Sequence, residues 1–185
     1  LTELIATEGA VLLEPGRGVD RQKVSATLER ALQRLVVHLG DAKIVTVLAE
    51  HAEEQPYLDI SLGGSIDLML TDSTGREIVL DAKWGGENYR AKELQDNTAL
   101  QLATYAYLRS KATGGAWPSQ AYFIIESGNL LAPDATIFSE AQVHAPRDGG
   151  DMLALWQRGE ATYRWRWEQL AAGHIEVNVD GVEPT

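Results

Sequence analysis

Residues 64–105 read GSIDLMLTDSTGREIVLDAKWGGENYRAKELQDNTALQLATY, and this stretch decides the fold. Two apolar runs, residues 65–71 and 77–80, have the composition of strands. Asp72-Ser73-Thr74-Gly75 between them is a hairpin turn signal with glycine in the turn. The first run contains one carboxylate, Asp67, and the second runs into Asp81-Ala82-Lys83. A helical pattern follows and carries Gln101 and Tyr105. A bare carboxylate in an apolar strand is costly unless something compensates it. Two of them beside a lysine at one hairpin ask for a shared reason, and a divalent cation is the simplest.

Strand alternation puts Asp81 and Lys83 on one face, with Ala82 on the other. Pairing Asp67 across the hairpin near Asp81 brings both carboxylates and the ammonium to one spot. Hard cations such as Mg²⁺ take one or two carboxylates and keep several waters. A cation held there lowers the pKa of its water and stabilises charge on a phosphoryl oxygen. Lys83 is placed to position that water or to neutralise developing charge. These are the parts of a phosphodiester hydrolase.

The ordered set of strand Asp67, hairpin, Asp81-x-Lys83 and helical Gln101-x-x-x-Tyr105 resembles the PD-(D/E)xK nuclease superfamily. The Gly64-x-Ile66-Asp67 opening and the Gln-x-x-x-Tyr helix are most similar to its RecB-type branch. The resemblance covers residues 50–109 well and the flanks loosely. It implies that Asp67, Asp81 and the backbone carbonyl of Ala82 ligate Mg²⁺ or Mn²⁺, and that Lys83 is the catalytic lysine. Gln101 and Tyr105 would line the same site from the helix. The sequence departs from the pattern at Ile66, where this branch usually has proline, and at Trp84, where a small hydroxyl residue is more common. The branch also implies a further ligand from outside the hairpin. Glu29 or His38 on the first helix, with Glu29 preferred, or Glu54 before the second strand would supply it. Each also reads as an ordinary solvated or capping residue.

The chain has 185 residues, enough for one domain with a sizeable core. No run reaches the roughly 18 apolar residues of a membrane helix, and no signal peptide is visible. There are no cysteines, which rules out disulfides and thiolate metal sites and fits a cytoplasmic setting. The chain opens on Leu1 and closes on Pro184-Thr185, which reads as a piece of a longer protein. A net charge of −11 counts against a free-standing DNA binder, because phosphate neutralisation dominates such affinity.

In chain order, residues 1–17 read as an apolar segment closed by a Pro15-Gly16 turn. A helix is expected over residues 20–39, with Asp20 as N-cap and Gly40 as stop. Its apolar face is Val24, Leu28, Ala31, Leu32, Leu35 and Leu39. Residues 43–49 read as a strand, 50–56 as a charged turn and 57–62 as a second strand, which Gly63-Gly64 breaks or bulges. Trp84, Gly85, Gly86 and Tyr89 form a loop whose aromatics either cover a core edge or stack on bases. One helix is expected over residues 91–110, with Gln101 on its inner face. Residues 120–126 read as a buried strand, 129–132 and 136–139 as a short hairpin, and 151–172 as a helix stopped by Gly173. Trp156, Tyr163, Trp165 and Trp167 on that helix read as core. Residues 175–179 read as a last short strand or tail.

The expected fold is α/β, a restriction-endonuclease-like core with a mixed sheet of four to five strands flanked by helices. The expected function is a Mg²⁺- or Mn²⁺-dependent deoxyribonuclease of DNA repair, recombination or defence. DNA would be brought to it by a neighbouring helicase-like or DNA-delivering domain or subunit. A catalytically silent nuclease-like scaffold that binds a partner protein is the alternative. A small-molecule phosphohydrolase would need more phosphate-binding basic residues than the sequence offers.

Overall fold

A computed structural model describes residues 9–58 and 60–174. A 3₁₀ turn at Ala10–Leu13 leads into α1 (Gly18–Asp41). Three strands follow, β1 (Ile44–Tyr57), β2 (Ile60–Asp72) and β3 (Glu77–Lys83), and then two helices, α2 (Glu87–Gln95) and α3 (Leu100–Thr113). The chain closes with β4 (Ser119–Ile124), β5 (Asn129–Ala132), β6 (Gln142–Val143) and α4 (Met152–Ala171). Among the described residues the sheet has six strands, in the order β1-β2-β3-β4-β5-β6. It is mixed: β3 pairs parallel with β4 and β5 with β6, while the other neighbours are antiparallel. Ala31 of α1 belongs to one core layer with Leu70, Leu80 and Phe123. Leu94, Leu102 and Trp156 from α2, α3 and α4 belong to the other, with Val79 and Tyr122. The result is the α/β, restriction-endonuclease-like architecture expected, with one strand more. No helix among the described residues is long and apolar enough to cross a membrane.

The hairpin between β2 and β3 forms where the turn signal lies. Asp72 accepts from the backbone N–H groups of Thr74 and Arg76, and Gly75 takes φ 85°. The Thr74 hydroxyl, which donates to the same carboxylate at 2.7 Å, these backbone bonds and the Arg76 ion pair hold the Asp72 carboxyl well below the usual carboxylate range. At the other end of the chain Asp151 caps α4 by accepting from Ala154 N–H at 2.7 Å. Gly173 closes that helix in the left-handed conformation, its N–H bonding Leu170 O while His174 N–H bonds Gln169 O.

Several expectations yield to the structure. Residues 50–56 are not a turn but continue β1, which pairs with β2 out to Tyr57 and Ile60. The charged run stays in a strand because Glu53 finds Arg109 of α3 at 2.8 Å and His51 at 3.0 Å. Gly63 and Gly64 do not break β2. A Cβ on Gly64 would stand 2.8 Å from the Tyr105 ring, so glycine lets the ribbon lie on α3. The single helix over 91–110 is two helices. Asn97 turns the chain at φ 51°, with its amide on Asp148 and its carbonyl accepting from Arg158 at 2.9 Å. Residues 136–139 are not a strand; β6 lies later, parallel to β5. Asp20 sits in the first turn of α1 rather than at its N-cap, paired with Arg17, and α1 runs through Gly40 to Asp41. The readings of residues 1–8, of Asp59 and of 175–179 lie outside the described residues.

The aromatic residues of α4 divide. Trp156 is 8% exposed and stacks on Tyr107 at 4.2 Å, whereas Trp165 and Trp167 are about half exposed, at 47% and 52%. Core is therefore the right reading for Trp156 and the wrong one for Tyr163, Trp165 and Trp167: Trp165 is on the opposite helix face, while Tyr163 and Trp167 share the face of Trp156 and stay exposed farther along it, stacked on one another. Trp156→Ala is expected to cost about 3–5 kcal/mol in urea unfolding. Trp165→Ala should stay within about 0.5 kcal/mol. Equal losses would show that the outer face of α4 is packed in solution.

Candidate active site

The β1–β2 ribbon is bent where the site begins. Its near half joins the central sheet, and its far half lies over α3 and α4, with Tyr57 against Tyr107 and Trp156. At the bend Ala49 pairs with Leu68 and His51 with Ile66, leaving Glu50 and Asp67 between these pairs. Glu50 takes φ 50°, a conformation that breaks strand alternation. Leu68 and Leu70 accordingly join one core layer while Ile66 and Met69 join the other. Asp67 stands at the switch.

On its other side β2 pairs with β3 through Leu68 and Leu80, so one further step along the ladder sets Asp67 opposite Asp81. Asp67 Oδ2 accepts from the Ala82 N–H at 2.8 Å. Asp81 is wholly buried. Its Oδ2 lies 2.7 Å from Lys83 Nζ, and apart from this charge contact neither carboxylate oxygen has a hydrogen-bond partner. Burial pushes the Asp81 carboxyl above the ordinary range, and the Asp67 charge adds to this while Lys83 and Arg90 oppose it. Lys83 keeps 22% of its side chain in solvent, so its ammonium can leave Asp81 without unfolding the strand.

Gln101 and Tyr105 meet one another: Gln101 Nε2 donates to the Tyr105 hydroxyl at 3.0 Å. Gln101 is exposed rather than on the inner face, because Leu102, Ala103 and Ala106 fill the contact with the sheet. Tyr105 is half-buried over Gly64, three residues before Asp67 in the chain. Glu29 is exposed on α1, and Glu54 is exposed and accepts from Ser61 at 2.5 Å. His38 stands against Gly128 O at 3.3 Å. Among the described residues no group of three or more His, Asp or Glu gathers in a geometry able to hold a metal ion. The donor set that remains is two facing carboxylates, one with orphaned buried oxygens, and the Ala82 carbonyl between Asp81 and Lys83. That set fits a hard cation that keeps most of its waters.

A model of the PD-(D/E)XK nuclease superfamily matches residues 3–180. The chain belongs to this superfamily. Among curated proteins, none matches it.

Two features of this superfamily member were hidden in its sequence. Tyr122 pairs with Asp81 in the parallel β3–β4 ladder, is fully buried, and donates to Glu93 Oε2 at 3.3 Å. Burial raises its phenol further above the ordinary tyrosine range, with the Glu93 charge adding to the effect. Arg90 Nη1 lies 2.6 Å from the same Glu93 oxygen. An apolar strand reading of residues 120–126 gave Tyr122 no special status. The Arg90–Glu93 spacing of one helical turn was the available signal. Glu50 at the bend was hidden because β1 reads as ending at Ala49. Of the two departures from the family pattern, Ile66 is fully buried in the core and Trp84 is 49% exposed. Neither side chain replaces a member of the Asp67, Asp81 and Lys83 group.

Proposed function

We propose that this chain is a RecB-type, Mg²⁺- or Mn²⁺-dependent deoxyribonuclease domain, acting in DNA repair, recombination or defence. The observation that carries the proposal is the wholly buried Asp81 carboxylate, set opposite Asp67, whose one ion-pair partner among the described residues is the Lys83 ammonium at 2.7 Å. A carboxylate kept only for structure is ordinarily exposed or bonded on both oxygens. Asp67, Asp81 and the Ala82 carbonyl would hold the cation, which when bound acidifies a water and offsets charge on the phosphoryl oxygen. Lys83 then turns from Asp81 to the attacking water or to the charge developing on the phosphate. Gln101, held by the Tyr105 hydroxyl, positions Lys83 or the phosphate. Cleavage of linear and circular DNA with Mg²⁺ or Mn²⁺ tests the reading, and inertness toward both with either metal would refute it.

The net charge of −11, from 16 basic and 27 acidic residues, favours a second reading, a silent scaffold that binds a partner protein. Titration calorimetry with Mn²⁺ separates the two, since a scaffold has no use for a cation between Asp67 and Asp81.

The same charge predicts how the chain meets its substrate. Arg76, Arg109, Arg147, Arg158 and Arg164 are each engaged with a carboxylate at 2.5–3.0 Å. Charges neutralised in this way add little to the long-range attraction of a polyanion, whose binding relies on basic groups releasing condensed counterions. The chain alone is expected to bind short duplex or single-stranded DNA weakly, with a neighbouring domain or subunit delivering the strand. Binding measured with Ca²⁺ in place of Mg²⁺ checks this. Submicromolar affinity at physiological salt would overturn the delivery arrangement.

A further inference from the structure

Arg90 is more firmly fixed than a surface arginine and less fully bonded than a structural one. It projects from α2, a few residues beyond Lys83. Its guanidinium lies 4.9 Å from the Tyr89 ring centre and 5.5 Å from that of Tyr122. Nη1 contacts Glu93 at 2.6 Å, and that carboxylate also accepts from Tyr122. Two rings and one acid therefore hold the planar group beside Asp81, and its charge reaches that carboxylate. Yet Nε is buried with no acceptor among the described residues. A brace would present the arginine fork to Glu93 through two parallel bonds. Here Nη1 binds Glu93 while Nε is left without an acceptor.

A buried cationic donor without an acceptor is costly, and such a group calls for a specific explanation. The neighbouring Asp81 oxygens cannot supply one, since they too are without hydrogen bonds. The missing partner is an acceptor that arrives from outside. About a quarter of the Arg90 side chain, 24%, is open to solvent, which gives such a group a way in. Planar guanidinium matches phosphate oxygens two at a time, and holding it in advance lowers the ordering cost of the contact.

We propose that Arg90 is a substrate-positioning residue: its unused donors bind the non-bridging oxygens of one backbone phosphate of the DNA strand next to the bond that is cut. The proposal rests on the nuclease reading, and it concerns a single contact, so it is compatible with weak binding of DNA by the whole chain. Arg90 is Tyr122-anchored for this purpose: β4 holds Tyr122 beside Asp81, Tyr122 holds Glu93, and Glu93 aims Arg90.

The test uses the full chain at low salt with Ca²⁺ replacing Mg²⁺. A set of single-stranded oligonucleotides is prepared in which one phosphate at a time is an uncharged methylphosphonate. Parent, Arg90→Gln and Arg90→Lys are compared for binding to each. The parent should lose about tenfold in affinity when one particular phosphate is neutralised, the size of a charge-assisted bond. Arg90→Gln should bind the natural strand about tenfold more weakly and show no further loss at that position. Arg90→Lys, which keeps the charge without the fork, should fall between them and serves as the probe if Arg90→Gln does not fold. With Mn²⁺, Arg90→Gln should raise KM more than it lowers kcat. Identical position profiles for parent and variants, or no binding by the parent, would overturn the proposal. A position-specific loss in a parent that never cuts DNA supports the phosphate contact while refuting the nuclease reading.

Discussion

Lys83→Ala is expected to lower DNA cleavage by at least about 100-fold while Mn²⁺ binding survives. Lys83 shares a face of β3 with Asp81 and lies 2.7 Å from it, so the two act at one place. An ammonium has no lone pair for a metal, and its role is to orient water or to neutralise developing charge. Removing it frees the Asp81 oxygen that the ammonium covers, and a bound cation takes over as the counter-ion of that carboxylate. The assay is cleavage of linear and circular DNA with Mg²⁺ or Mn²⁺, beside calorimetric titration of the same variant with Mn²⁺. Unchanged cleavage would move the chemistry away from β3. Loss of metal binding together with cleavage would make Lys83 a structural partner of Asp81 rather than a participant in the reaction.

Asp67→Ala and Asp81→Ala should each eliminate the Mn²⁺ heat while the fold persists. The motive is the ladder register that sets the two carboxylates against each other, and the absence, among the described residues, of a third gathered acid to replace either. A variant that binds Mn²⁺ as the parent does would separate the two aspartates into unrelated sites. Stability without metal should move in the opposite direction for Asp81. Burial raises its folded pKa, and Asp67 raises it further, so the folded protein holds the Asp81 proton more tightly than the unfolded chain does. Stability from this group is complete below the ordinary carboxylate range and declines as the pH rises through the raised value. Asp81→Asn removes that decline, and the metal-free variant should melt above the parent at neutral pH. Thermal unfolding of both proteins from pH 4 to pH 8 in a metal chelator checks the sign, and parallel curves would show that Asp81 does not titrate in that window.

The features legible in the sequence are those encoded within a few residues. Asp72 and Gly75 make their turn with partners no more than four positions away. Asp151 caps α4 through a residue three positions on, and Gly173 closes it within its own last turn. Strand alternation alone puts Asp81 beside Lys83, and the order of Asp67, Asp81-x-Lys83 and Gln101-x-x-x-Tyr105 sufficed for the superfamily. Tertiary structure decided what depends on distant partners. Residues 50–56 look like a solvated turn until Arg109, 56 positions from Glu53, makes them a strand. The helix through residue 97 looks continuous until Asp148 and Arg158, 51 and 61 positions away, stabilise Asn97 in a turn. Periodicity puts Trp167 on the face of Trp156, and only the position of Tyr57 and Tyr107 along α4 buries Trp156 and leaves Trp167 half exposed. The identities of Asp67, Asp81 and Lys83 are local facts. That Asp81 is wholly buried, backed by Tyr122 and accompanied by Arg90 follows from the parallel β3–β4 pairing and the seat of α2, because burial and charge are fixed by what folds around a residue and not by its neighbours in the chain.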